Sequence, residues 1–291
     1  MDYFIQQGIN AVQLGSIYAL IALGYSMVYG VLTMINFAHG DLFMVGAFAC
    51  LLLASFVPLP FVVVLIVVMV ATGLLGALIE RLAYRPLRSA PRVSAIITAL
   101  GCGQVIENTT LALSPYARPM PTLFSSTSFQ WSGVTISTLQ LLIITVATGL
   151  MLGLDFLIRK TPFGMAMRAI SFDAKTAPLM GIPVDRIISL TFFIGAALGG
   201  AAGMLYGLAY PVIAATMGVL VGWKAFIAAV IGGIGSIRGA VLGGFILGTV
   251  EVMAVAFLPS TYRDLIAYSL LLVILIFKPY GLLGSAPNQK V

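Results

Sequence analysis

Long runs of apolar residues alternate along the chain with short segments of charged, polar or proline residues. Most of these runs approach the roughly 20 residues that a helix needs to cross a membrane. They are continuous and show no alternation of apolar and polar positions, which distinguishes them from the strands of an outer-membrane barrel. We therefore predict an all-α polytopic membrane protein, a bundle of about eight to nine transmembrane helices. The candidate spans lie at residues 9–30, 36–57, 61–80, 93–113, 139–158, 187–210, 213–234, 239–258 and 265–278.

The composition excludes a soluble protein. Of the 291 residues, 60% are hydrophobic and only 8% are charged, whereas a soluble domain carries roughly 25% charged residues. The net charge of +6 does not indicate nucleic-acid binding, because basic residues of membrane proteins mainly flank the spans. Cys50 and Cys102 each lie inside an apolar run, far from other metal ligands. We therefore expect no nucleic-acid partner, no disulfide and no metal site.

The distribution of the basic residues predicts the orientation in the membrane. Four arginines lie in residues 81–92 and five basic residues in 159–186, so both loops are expected to be cytoplasmic. The 114–138 loop and the turn around Pro259 have one arginine each and are expected to face outward. With this span order the N-terminus is periplasmic and the C-terminus cytoplasmic. No basic residue precedes the first apolar run, so we expect the first span to be retained.

Glycines recur at every fourth residue within the predicted spans. This spacing places the small residues on one helix face, where two helix backbones can approach closely inside a membrane. We therefore expect tightly packed helices rather than a loose bundle. The clearest examples are Gly195, Gly199, Gly203 and Gly207, and the pair Gly244 and Gly248.

Few polar residues lie within the spans, and each is a candidate for function because an ionised side chain at a helix centre costs about 2.5–3.5 kcal/mol. Gln104, Glu107 and Asn108 share or border one face of a single predicted helix. Lys224 and Glu251 lie in two later spans. They could line a polar route through the bundle. Alternatively, Lys224 could pair with Glu251 or Glu107 and fix the register of the helices.

The segment Ile35-Asn-Phe-Ala-His-Gly-Asp41 contains the only histidine of the chain and lies at the junction of two spans. A proton relay is one interpretation of His39. A single histidine without an assigned partner favours instead a hydrogen-bonding role at a helix turn. We retain Asn36 and His39 as candidate pathway residues.

The loop 159–186 has the residue order of a short helix that runs along the cytoplasmic face. Thr161 can cap a helix with Pro162 in its first turn, and Asp173 can cap a second short helix that ends at Gly181. Such a segment could be a plain connection or could dock into a partner protein.

The chain has neither a phosphate-binding loop nor a nucleophile elbow of the Gly-x-Ser-x-Gly type. We therefore expect no ATP binding by the chain itself, no catalytic residues and no enzymatic activity.

Several segments together resemble one family, the LivH-type permease subunits of bacterial ABC importers for branched-chain amino acids. The resemblance runs nearly end to end, and its specificity comes from the combination and order of the segments. They are Leu14-Gly-Ser-Ile-Tyr-Ala-Leu-Ile-Ala-Leu-Gly-Tyr25, Met34-Ile-Asn-Phe-Ala-His-Gly-Asp41, Ile79-Glu-Arg-Leu-Ala-Tyr-Arg-Pro86, Leu179-Met-Gly-Ile182, Gly222-Trp-Lys-Ala-Phe226 and Gly232-Gly-Ile-Gly-Ser236.

This resemblance implies a single transmembrane permease domain over residues 1–291, located in the bacterial inner membrane among its lipids. It implies a second homologous permease subunit, two cytoplasmic ATPase subunits that hold ATP and Mg, and a periplasmic substrate-binding protein. The chain itself would bind no cofactor. Leucine, isoleucine and valine would enter the cytoplasm by alternating access.

The resemblance also implies that the loop at about 159–186 is the coupling element contacted by the ATPase. By this analogy a coupling role falls on Gly164, Arg168, Asp173, Ala177 and Gly181.

Two other functions remain open. Importers for urea or short-chain amides look similar, so the same machine could carry another cargo. An ion-coupled secondary transporter would use Glu107, Lys224 and Glu251 as coupling or gating groups.

Overall fold

The computed structural model describes residues 2–88, 90–124, 126–131 and 133–284. Met1 and residues 285–291 of the predicted domain therefore lie outside the described part of the chain. Within the described part the chain is mostly helical. Its α-helices are α1 (Asp2–Leu32), α2 (His39–Phe56), α3 (Phe61–Ile79), α4 (Arg92–Leu113), α5 (Thr138–Lys160), α6 (Pro162–Phe172), α7 (Val184–Ala209), α8 (Met217–Gly232), α9 (Ile237–Phe257) and α10 (Tyr262–Phe277).

Each of the nine predicted spans corresponds to one of these helices, which confirms the all-α polytopic class. Seven of the described helices are long and apolar enough to cross a membrane. Helices α8 and α10 have 16 residues each, or about 24 Å of length, and are shorter than the hydrocarbon core. Helix α6 is the additional short helix expected in the 159–186 loop.

Short irregular and extended elements connect the helices. A π-helical turn (Glu80–Tyr84) and a 3₁₀ turn (Arg85–Leu87) follow α3. The 114–138 loop, for which no strand was predicted, contributes a hairpin. Its strands β2 (Ser128–Trp131) and β3 (Val134–Ser137) are antiparallel, and β1 (Arg118–Pro119) pairs with β4 (Val212–Ile213).

Close glycine contacts hold the centre of the bundle together, as their spacing predicts. Helix α9 lies along α1, where a Cβ atom added to Gly248 would overlap the backbone of Gly15. Helix α7 lies along α2, where a Cβ atom at Gly203 would overlap the carbonyl group of Phe43. Most of α1 is buried, because α7 and α8 also pack against it. The bundle is therefore organised around α1 and the α2–α7 pair.

Polar caps fix where α5 and α6 begin. The Ser137 hydroxyl accepts from the backbone N–H of Gln140 at 3.1 Å, and the Gln140 side chain accepts from the backbone N–H of Ser137. The Thr161 hydroxyl accepts from the backbone N–H of Gly164 at 3.3 Å, which confirms Thr161 as the cap of α6. Each such cap satisfies a helix N–H group that has no partner within the helix.

The second short helix expected after Asp173 is a single 3₁₀ turn (Ala177–Met180). The Asp173 carboxylate accepts from the backbone N–H of Lys175 at 2.9 Å, so it stabilises a turn before the predicted helix. Pro178 cannot donate a backbone hydrogen bond. Gly181 then ends the segment in the left-handed conformation, with φ of +76°. The predicted end is confirmed, whereas the predicted helix is shorter than expected.

The α2–α7 contact should tolerate no added methyl group. We predict that Gly46→Ala lowers the free energy of unfolding by about 1–3 kcal/mol, because the new Cβ would overlap the backbone of Gly200. Gly149→Ala on α5 is the matched control, since an added Cβ there has no neighbour within 4 Å. Denaturant unfolding in detergent micelles measures both variants. Equal stability of the two would contradict the close approach of α2 and α7.

Candidate functional site

Helix α4 exposes a row of polar side chains on an otherwise apolar helix. Gln104 and Asn108 are exposed and Glu107 is half-buried. Gln104 Nε2 donates to Glu107 Oε2 at 3.1 Å, and Asn108 Nδ2 donates to the Gln104 carbonyl at 2.8 Å. Only 11% of the apolar stretch of this helix is buried against the rest of the protein. Charged and amide groups in contact with lipid are costly, so this face requires protein or water beside it.

Helix α2 begins inside the bundle instead of at its surface. His39, its first residue, contacts Gly24 of α1 and Gly199 of α7, which both lie well inside their helices. The preceding residues 33–38 are irregular. Helix N-termini at this depth are typical of binding sites in transporters, because their free N–H groups and positive dipole face the interior.

Asn36 and His39 are both buried at this junction. The Asn36 Oδ1 atom accepts from the Ala38 N–H at 3.2 Å and from the Tyr84 hydroxyl at 3.0 Å. Asn36 therefore ties the irregular segment to the π-helical turn. The His39 ring contacts Tyr25 edge to face, with centroids 4.7 Å apart, and its Nε2 atom has no hydrogen-bond partner among the described residues.

A cavity of about 120 Å³ lies between this helix start and the polar face of α4. Asp41, in the first turn of α2, and Gln104 supply its polar groups. Aromatic rings and glycines supply most of the remaining wall. Those residues are Tyr25, Phe37, Gly40, Gly103, Gly218, Gly222, Trp223 and Phe226.

A second polar group lies between α1, α8, α9 and α10. Lys224 Nζ lies 2.8 Å from Glu251 Oε1 and 2.9 Å from Asp264 Oδ1. Arg263 Nε lies 3.2 Å from the same Glu251 oxygen, and the Tyr18 hydroxyl donates to Glu251 Oε2 at 2.7 Å. Glu251 is thus the centre of an ion-pair network beside a cavity of about 230 Å³.

This network contains the sequence-predicted pair of Lys224 with Glu251, whereas Glu107 lies apart on α4. Sequence reasoning missed Tyr18, Arg263 and Asp264 as members of the network. Tyr18 lies inside an apolar run, and the other two begin α10. The sequence offered only one signal for this network, the number of charged residues in the last spans. That number does not identify which residues pair with each other.

Residues 161–182, which comprise α6 and the 3₁₀ turn after it and are called the α6 segment below, are attached to the backbone at the end of α5. The Arg168 guanidinium donates to the Ile158 carbonyl, and Gly164 lies so close to Ile158 that a Cβ atom would overlap it. Ala177 is buried. Four large apolar side chains of this segment are exposed instead, namely Met165, Phe172, Leu179 and Met180.

The structure also contains an inter-helix ion-pair cluster that the sequence interpretation treated only as a topology signal. Glu80 is fully buried and pairs with Arg88, and it accepts from the Ser189 hydroxyl at 2.5 Å. Arg85 and Arg88 both pair with Asp185. The cluster joins the turn after α3 to the start of α7, directly beyond the α6 segment.

The chain is similar over residues 9–275 to the family described as branched-chain amino acid transport system / permease component. It is 42% identical to the high-affinity branched-chain amino acid transport system permease protein LivH of Escherichia coli strain K12 and to that of Salmonella typhimurium. Each alignment covers 99% of this chain and 98% of the relative. The permease protein BraD of Pseudomonas aeruginosa is also 42% identical, with the same coverage. No solved structure matches the chain.

The buried centre of the Lys224 network should be far more sensitive than its rim. We predict that Glu251→Ala, at a side chain 1% exposed, lowers the free energy of unfolding by about 3–5 kcal/mol. Asp264→Ala, at a side chain 57% exposed, should cost less than about 1 kcal/mol. Thermal unfolding of both purified variants measures the difference. Similar losses of unfolding free energy in the two variants would show that burial does not determine how much each residue of this network stabilises the protein.

Proposed function

The chain belongs to the family of permease components of branched-chain amino acid transport systems, and on this premise we propose that it imports branched-chain amino acids as one subunit of an ATP-driven importer. The observation that carries the proposal is the polar face of α4. A multi-pass membrane protein has no reason to expose Gln104, Glu107 and Asn108 to lipid. A water-filled route or a second subunit beside α4 would satisfy these side chains.

A second, homologous permease packed near α4 would enclose that route between the two subunits. The chain then supplies one wall of the pathway, which includes the polar side chains of α4 and the start of α2. Leucine, isoleucine and valine are the proposed cargo, because the relatives at 42% identity are named for branched-chain amino acids.

The α6 segment is the proposed contact with two ATPase subunits in the cytoplasm. Phe172, Leu179 and Met180 are exposed there, and large apolar side chains on a surface are typical of protein interfaces. The clustering of basic residues in 81–92 and 159–186 supports a cytoplasmic location for this end. The N-terminus is then periplasmic, where a substrate-binding protein delivers the cargo, and the membrane is the bacterial inner membrane.

Movement of the α6 segment would reach the spans through the contacts described above. Arg168 and Gly164 attach the segment to the end of α5. The Glu80 cluster attaches the turn after α3 to the start of α7. ATP hydrolysis in the partner subunits supplies the energy, and the chain itself carries out no chemical step. Rigid helices that move together are the basis of alternating access.

Transport by the reconstituted complex tests the function. We predict that proteoliposomes holding this chain with a homologous permease and the ATPase subunits take up radiolabelled leucine only when binding protein is outside and ATP inside. Leucine uptake by this chain alone, driven by an ion gradient, would contradict the importer and favour a secondary transporter. ATP-dependent uptake of urea or acetamide without leucine uptake would contradict the proposed cargo.

The exposed side chains of the α6 segment should be required for coupling. Leu179 is 86% exposed, so Leu179→Asp should leave the thermal stability of the chain unchanged. We predict that it lowers ATP-dependent leucine uptake at least tenfold, because a charge in an apolar interface is unfavourable. Leu179→Met is the matched control and should transport like the wild type. Normal uptake by Leu179→Asp would exclude this surface as the ATPase contact.

A further inference from the structure

Asp41 is a buried carboxylate without a complete set of partners. It lies in the first turn of α2 and is 5% exposed. Its Oδ1 atom has no hydrogen-bond partner within the described chain. The N-terminus of a helix such as α2 stabilises a negative charge. This effect does not take the place of a hydrogen bond to the carboxylate oxygen. Burying a charged group without a partner is costly, so this position suggests that the partner comes from outside the chain.

Glycines leave room around this carboxylate from two other helices. A Cβ atom added to Gly218 of α8 would lie 2.9 Å from Asp41 Oδ1, and one added to Gly103 of α4 would overlap Oδ2. Both glycines line the 120 Å³ cavity together with Asp41. Side chains at either position would displace the carboxylate or fill the space beside it. The two glycines therefore leave room for the carboxylate at the edge of the cavity.

Part of the cavity wall is aromatic. The rings of Phe37 and Trp223 lie 5.6 Å apart, Phe37 and Phe226 5.8 Å, and Trp223 and Phe226 6.1 Å. Tyr25 completes this wall. The faces of aromatic rings attract cations, and a carboxylate beside them adds the counter-charge. This combination selects a positively charged group that also carries apolar surface.

We propose that this cavity binds the ammonium group of the transported amino acid, with Asp41 as its counter-ion and the aromatic wall beside it. The inference rests on the proposed function and names how the permease recognises its cargo. A cavity of about 120 Å³ is near the size that holds one benzene ring in other proteins, about 150 Å³. It accommodates the amine end of the amino acid, and the remainder extends toward Gln104 on the polar face of α4.

Direct binding to the full chain in lipid nanodiscs tests this site. The chain has two tryptophans, so a Trp131→Phe background leaves Trp223, in the cavity wall, as the only tryptophan reporter. The probes are leucine, 3-methylbutylamine, which retains the amine without the carboxylate, and 4-methylpentanoate, which retains the carboxylate without the amine. We predict a saturable change in Trp223 emission with leucine and the amine, and none with 4-methylpentanoate.

The Asp41→Asn variant keeps the shape of the side chain and removes its charge. We predict that it weakens binding of 3-methylbutylamine at least tenfold. Asp155→Asn, at an exposed carboxylate paired with Arg159 on α5, should bind the amine like the parent. The site would be overturned if Asp41→Asn binds the amine as tightly as the parent does. It would also be overturned if 4-methylpentanoate binds as tightly as the amine, or if the parent shows no saturable response.

A second pair of variants keeps the test decisive if Asp41→Asn fails to fold. Gly103→Ala retains the charge but places a methyl group against the carboxylate, so it should also weaken amine binding at least tenfold. Gly101→Ala on the same helix has no neighbour within 4 Å of the added Cβ and should bind normally. Equal amine binding by Gly103→Ala and Gly101→Ala would overturn the site.

Uptake by the assembled complex separates this inference from the proposed function. The Asp41→Asn complex could take up leucine with ATP at the wild-type rate and with the wild-type half-saturating concentration. That result would overturn the site and leave the importer intact. Amine binding that needs Asp41, in a wild-type complex that transports no leucine, would contradict the proposed leucine import and support the ammonium site.

Discussion

The cost of leaving a polar group unpaired inside a membrane governs this structure. Of the three buried carboxylates among the described residues, two satisfy that constraint with partners from the chain itself. Glu80 pairs with Arg88 and Ser189, and Glu251 lies within reach of Lys224, Arg263 and Tyr18. The Oδ1 atom of Asp41 has no hydrogen-bond partner among the described residues. Paired charges hold helices in register, whereas a charge that remains open in a glycine-lined cavity is suited to a ligand.

Glycine packing makes such an open charge compatible with a stable bundle. Contacts of α2 with α7, and of α1 with α9, bring the helix backbones close together, and this close approach allows α2 to begin inside the protein. The irregular residues before His39 are then enclosed by protein rather than exposed to lipid, and the Asn36 side chain bonds to Ala38 and Tyr84. Irregular backbone at this depth is tolerated only when it is enclosed in that way or lines a water-filled space.

Sequence patterns predicted the parts of this protein that depend on local physics. Continuous apolar runs predicted the helices, and Thr161 and Gly181 predicted both ends of the α6 segment. Distant partners were harder to predict. Asp41 received no role because only the fold brings Gly103 and Gly218 to its side, and the arginines that pair with Glu80 and Asp185 served only as topology signals. The pair of Lys224 with Glu251 was one of two alternatives, since a charge pattern restricts partners without selecting one.

On the proposed function, the polar face of α4 borders an aqueous route that opens and closes during transport. Labelling of Asn108→Cys in the assembled transporter by a membrane-impermeant maleimide, with Cys50 and Cys102 replaced, tests it most directly. We expect efficient labelling whose rate changes at least severalfold when ATP is added. Leu152→Cys, exposed on α5, should remain unlabelled in lipid. If Asn108→Cys reacts in neither state, or if the two positions react equally, α4 does not border an aqueous route.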